Sequence, residues 1–204
     1  MYGNGVKRLL DFLVSLVLLV LLSPIFLTVL IILLVTNHGK PFFVQPRPGR
    51  DEKTFRLLKF KTMTDARDKN NTLLPDTDRL TKVGIFVRKT SLDEIPQLIN
   101  VLKGDMSLIG PRPLLMRYLP YYSERERKRH QVRPGITGLA QVSGRNNLNW
   151  DDRLAMDVKY VENLSFTLDV KIFFKTIKSV LSSKDIVVDA GAVIPDLDVY
   201  RSKA

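Results

Sequence analysis

From Phe12 to Val35 the chain carries no charged residue, and its polar side chains there are Ser15, Ser23 and Thr28 alone. As one helix, at about 1.5 Å per residue, such a run could cross a hydrocarbon core roughly 30 Å thick. It is too long for the apolar region of a cleavable signal peptide, and no Ala-x-Ala site follows it. Two features argue against a simple span. Ser23-Pro24 interrupts the middle of the run, where proline removes a helix hydrogen bond and clashes with the preceding turn. Positive charge also flanks both ends, with Lys7 and Arg8 before the run and Lys40, Arg47, Arg50 and Lys53 after it. Because positive charge prefers the cytoplasmic side, both ends ask for the same face of a membrane. A helix that enters the lipid, bends at Ser23-Pro24 and returns satisfies both demands, with Ser23 a partner for backbone groups freed at the bend. Residues 1–36 are therefore expected to form a re-entrant membrane hairpin, and a proline-kinked span is the alternative.

The remaining 168 of the 204 residues suffice for one domain with its own core. The chain has 32 Lys and Arg against 21 Asp and Glu, a formal charge of +11 that favours anionic partners: phosphorylated ligands, acidic membrane or nucleic acid. With no cysteine, and only His38 and His130 among the histidines, disulfides, thiolate metal sites and multi-histidine sites are excluded. Short extended segments are expected at 41–44 and 54–62, joined by a turn at Arg47-Pro48-Gly49, followed by a polar loop or short helix at 65–78. Leu92, Ile95, Leu98, Ile99 and Leu102 recur at helical spacing, and Gly104 stops the element. Helices are further expected at 114–130, 150–160 and 166–181, with an irregular glycine-rich stretch at 134–147. In the last helix Lys171, Lys175 and Lys178 form a stripe beside the apolar Ile172, Phe173, Ile177, Val180 and Leu181. Such a helix either lies in a membrane interface or packs on the core with its lysines solvated. The expected class is α/β, mostly helical with a small β element, with amphipathic interfacial helices beside the hairpin. The expected division is the hairpin at 1–36, a domain with its own core at 37–184 and a loosely held tail at 185–204.

Chemistry concentrates at Ser91-Leu92-Asp93-Glu94. Two adjacent carboxylates among fixed cations supply a nucleophile, a metal ligand and partners for phosphate. The same four residues also match a helix capping box, and acids are ordinary in a first helical turn. That structural reading explains Glu94 well. It explains Asp93 less well, because Leu92 and Ile95 take the buried face and leave Asp93 and Gln97 pointing together elsewhere. Arginine precedes proline at Arg47, Arg112 and Arg133, where the proline holds its neighbour extended. Each could be a phosphate clamp or a turn residue with a solvated charge. Lys59 and Lys61 alternate along an expected strand and could face one anion.

In chain order, Lys7-Arg8, Ser23-Pro24, Lys59-Phe60-Lys61-Thr62-Met63, Arg88, Ser91-Leu92-Asp93-Glu94, Leu102-Lys103-Gly104-Asp105-Met106-Ser107, Gly110-Pro111-Arg112-Pro113 and Arg133-Pro134-Gly135-Ile136-Thr137-Gly138 resemble the bacterial sugar transferases, the monotopic phosphoglycosyl transferases. These blocks run to about Leu181, and the length is similar to that of the small members, such as the diacetylbacillosamine-phosphate transferases of bacterial protein N-glycosylation. The resemblance implies a re-entrant helix broken at Ser23-Pro24 and a catalytic domain on the cytoplasmic face of the bacterial inner membrane, touching membrane lipids. It implies a two-step, Mg2+-dependent reaction. Asp93 takes a phosphosugar from a UDP-sugar and releases UMP; undecaprenyl phosphate, a polyprenol phosphate, then takes the phosphosugar from Asp93. Glu94 completes the dyad and assists proton removal, Asp93 also meets the metal, and Lys59, Arg88 and Arg112 lie close to the phosphates. Gln97, Arg133, Arg145 and Asp169 are implied to be nucleotide-contacting or supporting positions, and a homodimer is implied as well. Nucleic acid is not an expected partner. A tethered basic module that binds nucleic acid or anionic lipid without chemistry is the alternative, but carboxylates amid its arginines would repel such a ligand.

Overall fold

The computed structural model describes residues 2–144, 148–182 and 195–202. The apolar run forms two helices. After a π-helical turn at Tyr2–Val6, α1 (Lys7–Leu21) and α2 (Ser23–Thr36) meet at a bend of 64°. Pro24 falls in the first turn of α2, where its missing N–H costs nothing. Ser23 Oγ donates to the Val20 carbonyl at 2.7 Å, and Thr28 Oγ1 donates to the Pro24 carbonyl at 2.8 Å. Among the described residues no single helix is long and apolar enough to cross a membrane; the bent pair passes that test together.

Each arm is fastened differently. The inner face of α1 is polar, with Lys7, Asp11 and Ser15 buried at successive i, i+4 positions. Lys7 Nζ lies 2.6 Å from Asp169, and Asp11 accepts from Ser107 Oγ at 2.7 Å and from the Leu108 N–H at 3.2 Å. The α2 arm docks by packing instead: Val29 and Leu33 are buried against Phe60 and Val87, and the Phe26, Phe42 and Phe60 rings cluster beside them. Asn37 Nδ2 closes this arm onto the Lys61 carbonyl at 2.6 Å. The outward faces of both arms, among them Leu9, Val17, Leu27, Ile31 and Val35, are exposed hydrocarbon.

The expected extended segments pair as an antiparallel hairpin, β1 (Phe42–Pro48) with β2 (Thr54–Phe60), in a register from Phe42 opposite Phe60 to Pro48 opposite Thr54. A loop then leads through α3 (Asp76–Arg79) into α4 (Lys82–Lys89), a helix not anticipated from the sequence. Its Gly84 explains why: a Cβ there would stand 2.0 Å from the Thr62 carbonyl oxygen, so the helix presses directly on the end of β2. Next comes α5 (Gln97–Lys103), stopped as expected by Gly104 at φ 92°. The glycine-rich stretch is not irregular throughout: β3 (Ser107–Ile109) pairs in parallel with β4 (Gly135–Thr137). A Cβ on Gly135 would lie 2.1 Å from the Gly110 nitrogen, so these backbones meet without room for side chains.

The helix expected at 114–130 is broken. A 3-10 segment at Met116–Tyr121 contains Pro120, and α6 (Glu124–Arg127) begins afresh at a capping box formed by Ser123 and Glu126. A second 3-10 turn, Lys128–Gln131, follows. After α7 (Leu139–Ser143) come α8 (Trp150–Glu162) and α9 (Phe166–Ser182), both close to expectation. On α9, Ile172 is buried while Phe166, Phe173, Phe174 and Ile177 are exposed together with Lys171, Lys175 and Lys178. The last segment is not wholly loose. The helix α10 (Leu197–Ser202) buries Leu197 among Leu114, Tyr118, Tyr122, Trp150 and Leu154, and Trp150 Nε1 donates to the Pro195 carbonyl at 2.7 Å. The architecture is thus mostly helical with two small two-stranded sheets.

Asp169 accepts from Lys7 and from the Tyr160 hydroxyl at 2.8 Å, both buried, and from the half-buried Tyr2 hydroxyl at 2.6 Å. Asp169→Ala leaves the buried Lys7 with only Asp11, 3.9 Å away, and is expected to cost about 3 kcal/mol. Thermal unfolding of detergent-solubilised protein measures this, and the double change Lys7→Met with Asp169→Leu is expected to recover most of the loss.

Candidate active site

Four elements deliver the charged groups. The chain leaves α4 through Ser91, which sits in the left-handed region at φ 57°, and then makes a 3-10 turn at Leu92–Glu94. This strained residue costs on the order of 1 kcal/mol and turns the backbone sharply just before the two carboxylates. It also rules out the capping box expected at Ser91, whose side chain makes no cap hydrogen bond. Lys59 comes from β2. The strand is held to α5 by a buried asparagine: Asn100 Oδ1 accepts from the Leu58 N–H at 3.0 Å, while its Nδ2 donates to the Arg56 carbonyl at 2.8 Å. Arg88 ends α4 and donates from Nε to Thr62 Oγ1 at 2.8 Å. Arg112 follows β3, and the buried Arg129 donates to its carbonyl at 2.7 Å while pairing with Asp157 at 2.8 Å.

These groups surround a cavity of ≈ 460 Å³. Its polar lining includes Asp93, Glu94, Arg88, Arg112, Arg129 and Arg153, with Thr137, Gln141 and Thr176 contributed by β4, α7 and α9. The two carboxylates are treated unequally. Glu94 Oε1 accepts from Lys59 Nζ at 2.6 Å and from Arg112 at 3.1 Å, whereas Asp93 lies 3.6 Å from Lys59 and receives no hydrogen bond from any described residue. Burial alone would raise both. For Glu94, Lys59 and Arg112 overcome it and hold the group at about 2. For Asp93, burial prevails with help from the neighbouring Glu94 charge, and its pKa stands above the ordinary 3.8 despite Lys59 and the arginines. One carboxylate is thus permanently charged and occupied, and the other is available. No group of three or more His, Cys, Asp or Glu side chains able to hold a metal occurs among the described residues. Asp93 with substrate phosphates is nevertheless the sparse oxygen set that Mg2+ commonly uses.

Of the positions singled out from sequence, Asp93, Glu94, Arg88 and Arg112 line the cavity, and Lys59 reaches it by its contacts with the dyad. Gln97 is buried but does not line the cavity, so it does not share a face with Asp93 there. The three arginine–proline pairs diverge: Arg133 donates to the Gly104 carbonyl at 2.8 Å, and Arg47 donates to Gln45 at 2.6 Å. Lys61 pairs with Asp65 rather than with the dyad. Asp169 holds the start of α1, and Arg145 lies outside the described residues. Asn100, Arg129, Arg153, Asp157 and Gln141 were not foreseen. An asparagine beside the apolar positions of an otherwise amphipathic helix was the one local signal; Arg129 and Asp157 meet across 28 residues.

The model of the family described as bacterial sugar transferase matches residues 2–183. The chain belongs to this family. It is 52% identical over 180 residues to the uncharacterized sugar transferase EpsL of Bacillus subtilis, covering 88% of this chain and 89% of that one. It is 39% identical over 199 residues to the exopolysaccharide production protein ExoY of Sinorhizobium fredii, covering 89% and 88%. To the undecaprenyl-phosphate galactose phosphotransferase of Salmonella typhimurium it is 40% identical over 193 residues, 86% of this chain but 40% of that longer protein. Membership in a family of transferases disfavours the reading of a basic module without chemistry.

Lys59 lowers the pKa of both carboxylates, so Lys59→Met is expected to move both titrations upward, Glu94 from about 2 toward or beyond its ordinary 4.5. Carboxyl 13C NMR with selectively labelled Asp and Glu follows the two groups; an unmoved Glu94 would refute this account of the dyad.

Proposed function

We propose that the protein transfers a sugar 1-phosphate from a UDP-sugar to undecaprenyl phosphate and releases UMP. The observation that carries this reading is the division of the dyad, with Glu94 held by two cations and Asp93 accepting no hydrogen bond from the described residues on a cavity lined with arginines. The names of relatives support it: an undecaprenyl-phosphate galactose phosphotransferase, a UDP-galactose-lipid carrier transferase of Erwinia amylovora and an N-acetylgalactosaminephosphotransferase of Aeromonas hydrophila.

In the first step an Asp93 carboxylate oxygen attacks the sugar-bearing phosphorus. The bond from that phosphorus to the UMP oxygen breaks, and UMP leaves with the electron pair. In the second step an oxygen of the lipid phosphate attacks the same phosphorus, forming the diphosphate and restoring the carboxylate. Arg88, Arg112 and Lys59 offset the charge of the transferring phosphoryl group. A carboxylate at about 2 is a weak base, so Glu94 serves this scheme as the fixed anchor of Lys59 and Arg112 rather than as a proton acceptor. Mg2+, held by Asp93 and substrate phosphates, would supply charge neutralisation when bound.

The same reading makes α1 and α2 a re-entrant element at the bacterial inner membrane, with the catalytic domain on the cytoplasmic face. Its support is that both ends dock on one domain, Lys7 to Asp169 and Asn37 to Lys61, while the outer faces are exposed hydrocarbon. A 15-residue arm is about 22 Å long, and two such arms bent by 64° and equally inclined descend about 12 Å, within half of a roughly 30 Å core. The exposed rings and lysines of α9 suit the adjoining interface.

Purified protein offered a panel of UDP-sugars with Mg2+ is expected to release UMP with one of them and, without acceptor, to accumulate a phosphosugar adduct. Asp93→Asn is expected to lose both by at least about a thousandfold; release of UDP instead of UMP would overturn the assigned bond cleavage. Single cysteines placed at the exposed Gly5 and Lys40 are expected to be protected or labelled from the same side in spheroplasts, and opposite sidedness would sink the re-entrant reading.

A further inference from the structure

A second, smaller cavity lies at the start of α1 and shares no lining residue with the chamber of the dyad. Its volume of ≈ 50 Å³ is room for about three or four waters, or for one phosphate group. Four cations line it: Lys7 and Arg8 of α1, Arg50 of the turn between β1 and β2, and Arg133. Asp11 is the carboxylate among them. Part of that charge has a structural use. Lys7 is bound to Asp169, and Arg8 donates to the Val101 and Leu102 carbonyls at the end of α5. Arg133 is only partly used, since Nε donates to the Gly104 carbonyl while no described residue accepts from its two terminal nitrogens. Arg50 is used least. Its guanidinium donates to no described residue, its Nε is closed off from solvent without a partner, and its ion pair with Asp51 is 3.6 Å long. Burial, and then the charges of Arg8 and Arg50, lower the pKa of Arg133, so the three guanidiniums stand close enough to repel one another. A solvated arginine swings away from like charge; these are held around one pocket with donors to spare.

Unspent guanidinium donors converging on a pocket of this size suit the oxygens of a phosphate group. The place of the pocket selects the source of that phosphate. It is built on the first turns of α1, along which Val6 and Leu9 are 53% and 60% exposed. In the re-entrant reading given above, this is where the chain passes from water into lipid, at the depth of the headgroups. We propose that Arg8, Arg50 and Arg133 bind the phosphate of an anionic phospholipid headgroup, at a site apart from the reaction at Asp93. The lipid source rests on the re-entrant reading; the phosphate chemistry does not. Because Asp11 offsets only part of the positive charge, a headgroup with a net negative charge fits better than one carrying its own cation, such as phosphocholine. A phosphate there relieves the repulsion among the arginines. It also ties α1, the β1–β2 turn and the segment before β4 to one point of the leaflet.

Titration of the full chain in a neutral detergent tests this, because no charged leaflet then contributes. The probes are dioctanoyl phosphatidylglycerol and dioctanoyl phosphatidylcholine, followed by native mass spectrometry, and inorganic phosphate, followed by 31P NMR. Saturable binding of the phosphatidylglycerol is expected, at least about tenfold tighter than that of the phosphatidylcholine. Arg50→Gln, which breaks no hydrogen bond among the described residues, is expected to weaken it about tenfold. Lys53→Gln removes the same charge from an exposed position three residues away, outside the pocket, and is expected to change nothing. Equal weakening in both variants would mean diffuse attraction to a basic surface and would overturn the site. Equal binding of the two lipids, or no saturable binding of any probe, would overturn it as well. Inorganic phosphate bound more tightly than the lipid would make this a site for a free anion and overturn the lipid assignment. No nucleotide sugar enters these titrations. Failure of the transferase reading, seen as no UMP from any donor, and of the re-entrant reading, seen in cysteine sidedness, therefore remain distinguishable from failure of this site.

Discussion

The polar inner face of α1 ties the N-terminal helix to three parts of the domain. Lys7 is neutralised by Asp169 of α9, and Asp11 accepts from the β3 segment through Ser107 and Leu108. Arg8 donates to the Val101 and Leu102 carbonyls at the end of α5, where a cation suits the unsatisfied carbonyls and the helix dipole. Three separate parts of the domain thus take their positions from one helical stripe. A greasy contact could slide; directional bonds to buried charges fix depth and rotation together. Since α5 follows directly from the turn bearing Asp93 and Glu94, fixing its far end also fixes the carboxylates relative to the bend.

The dyad works by asymmetry. Two adjacent acids in one half-buried turn would compete for the same cations, and both would be driven toward neutrality. Here Lys59 and Arg112 converge on Glu94, and Asp93 keeps only the longer 3.6 Å ion pair with Lys59. In the proposed reaction, a nucleophile bound tightly by a cation would be a poor one, and one far from any cation would face substrate phosphates unaided. The supports are equally specific: Asn100 holds the lysine's strand to α5, and Arg129 with Asp157 holds the carbonyl of Arg112.

Much of this was legible from the chain because it is local. The bend announces itself by Ser23-Pro24 and by charge on both flanks, α8 and α9 by periodicity, and the end of α5 by Gly104. The failures are also physical. Ser91-x-x-Glu94 and Ser123-x-x-Glu126 carry the same capping signature, but the chain enters the first with Ser91 left-handed and uses its acid for cations. Helix α4 escaped notice because its glycine, a weak helix former, is there for the approach to Thr62. Strands of three residues show no alternation, and α10 is held by Leu197, Asp196 and Arg201 through contacts with distant residues. Of the three arginine–proline pairs, only tertiary placement tells Arg112 from Arg47 and Arg133.

The bond between Lys7 and Asp169 joins residues 162 positions apart. At roughly 5–20 residues per second on the ribosome, the hairpin emerges about 8–30 s before its anchor has been made. During that interval Lys7 has Asp11 one turn along the same helix, 3.9 Å away, but not the closer Asp169. The closest contact that ties Lys7 to the rest of the domain therefore forms only after most of the chain has been made. The two halves of the chain are made apart in time, and the last of them determines when the first is in place.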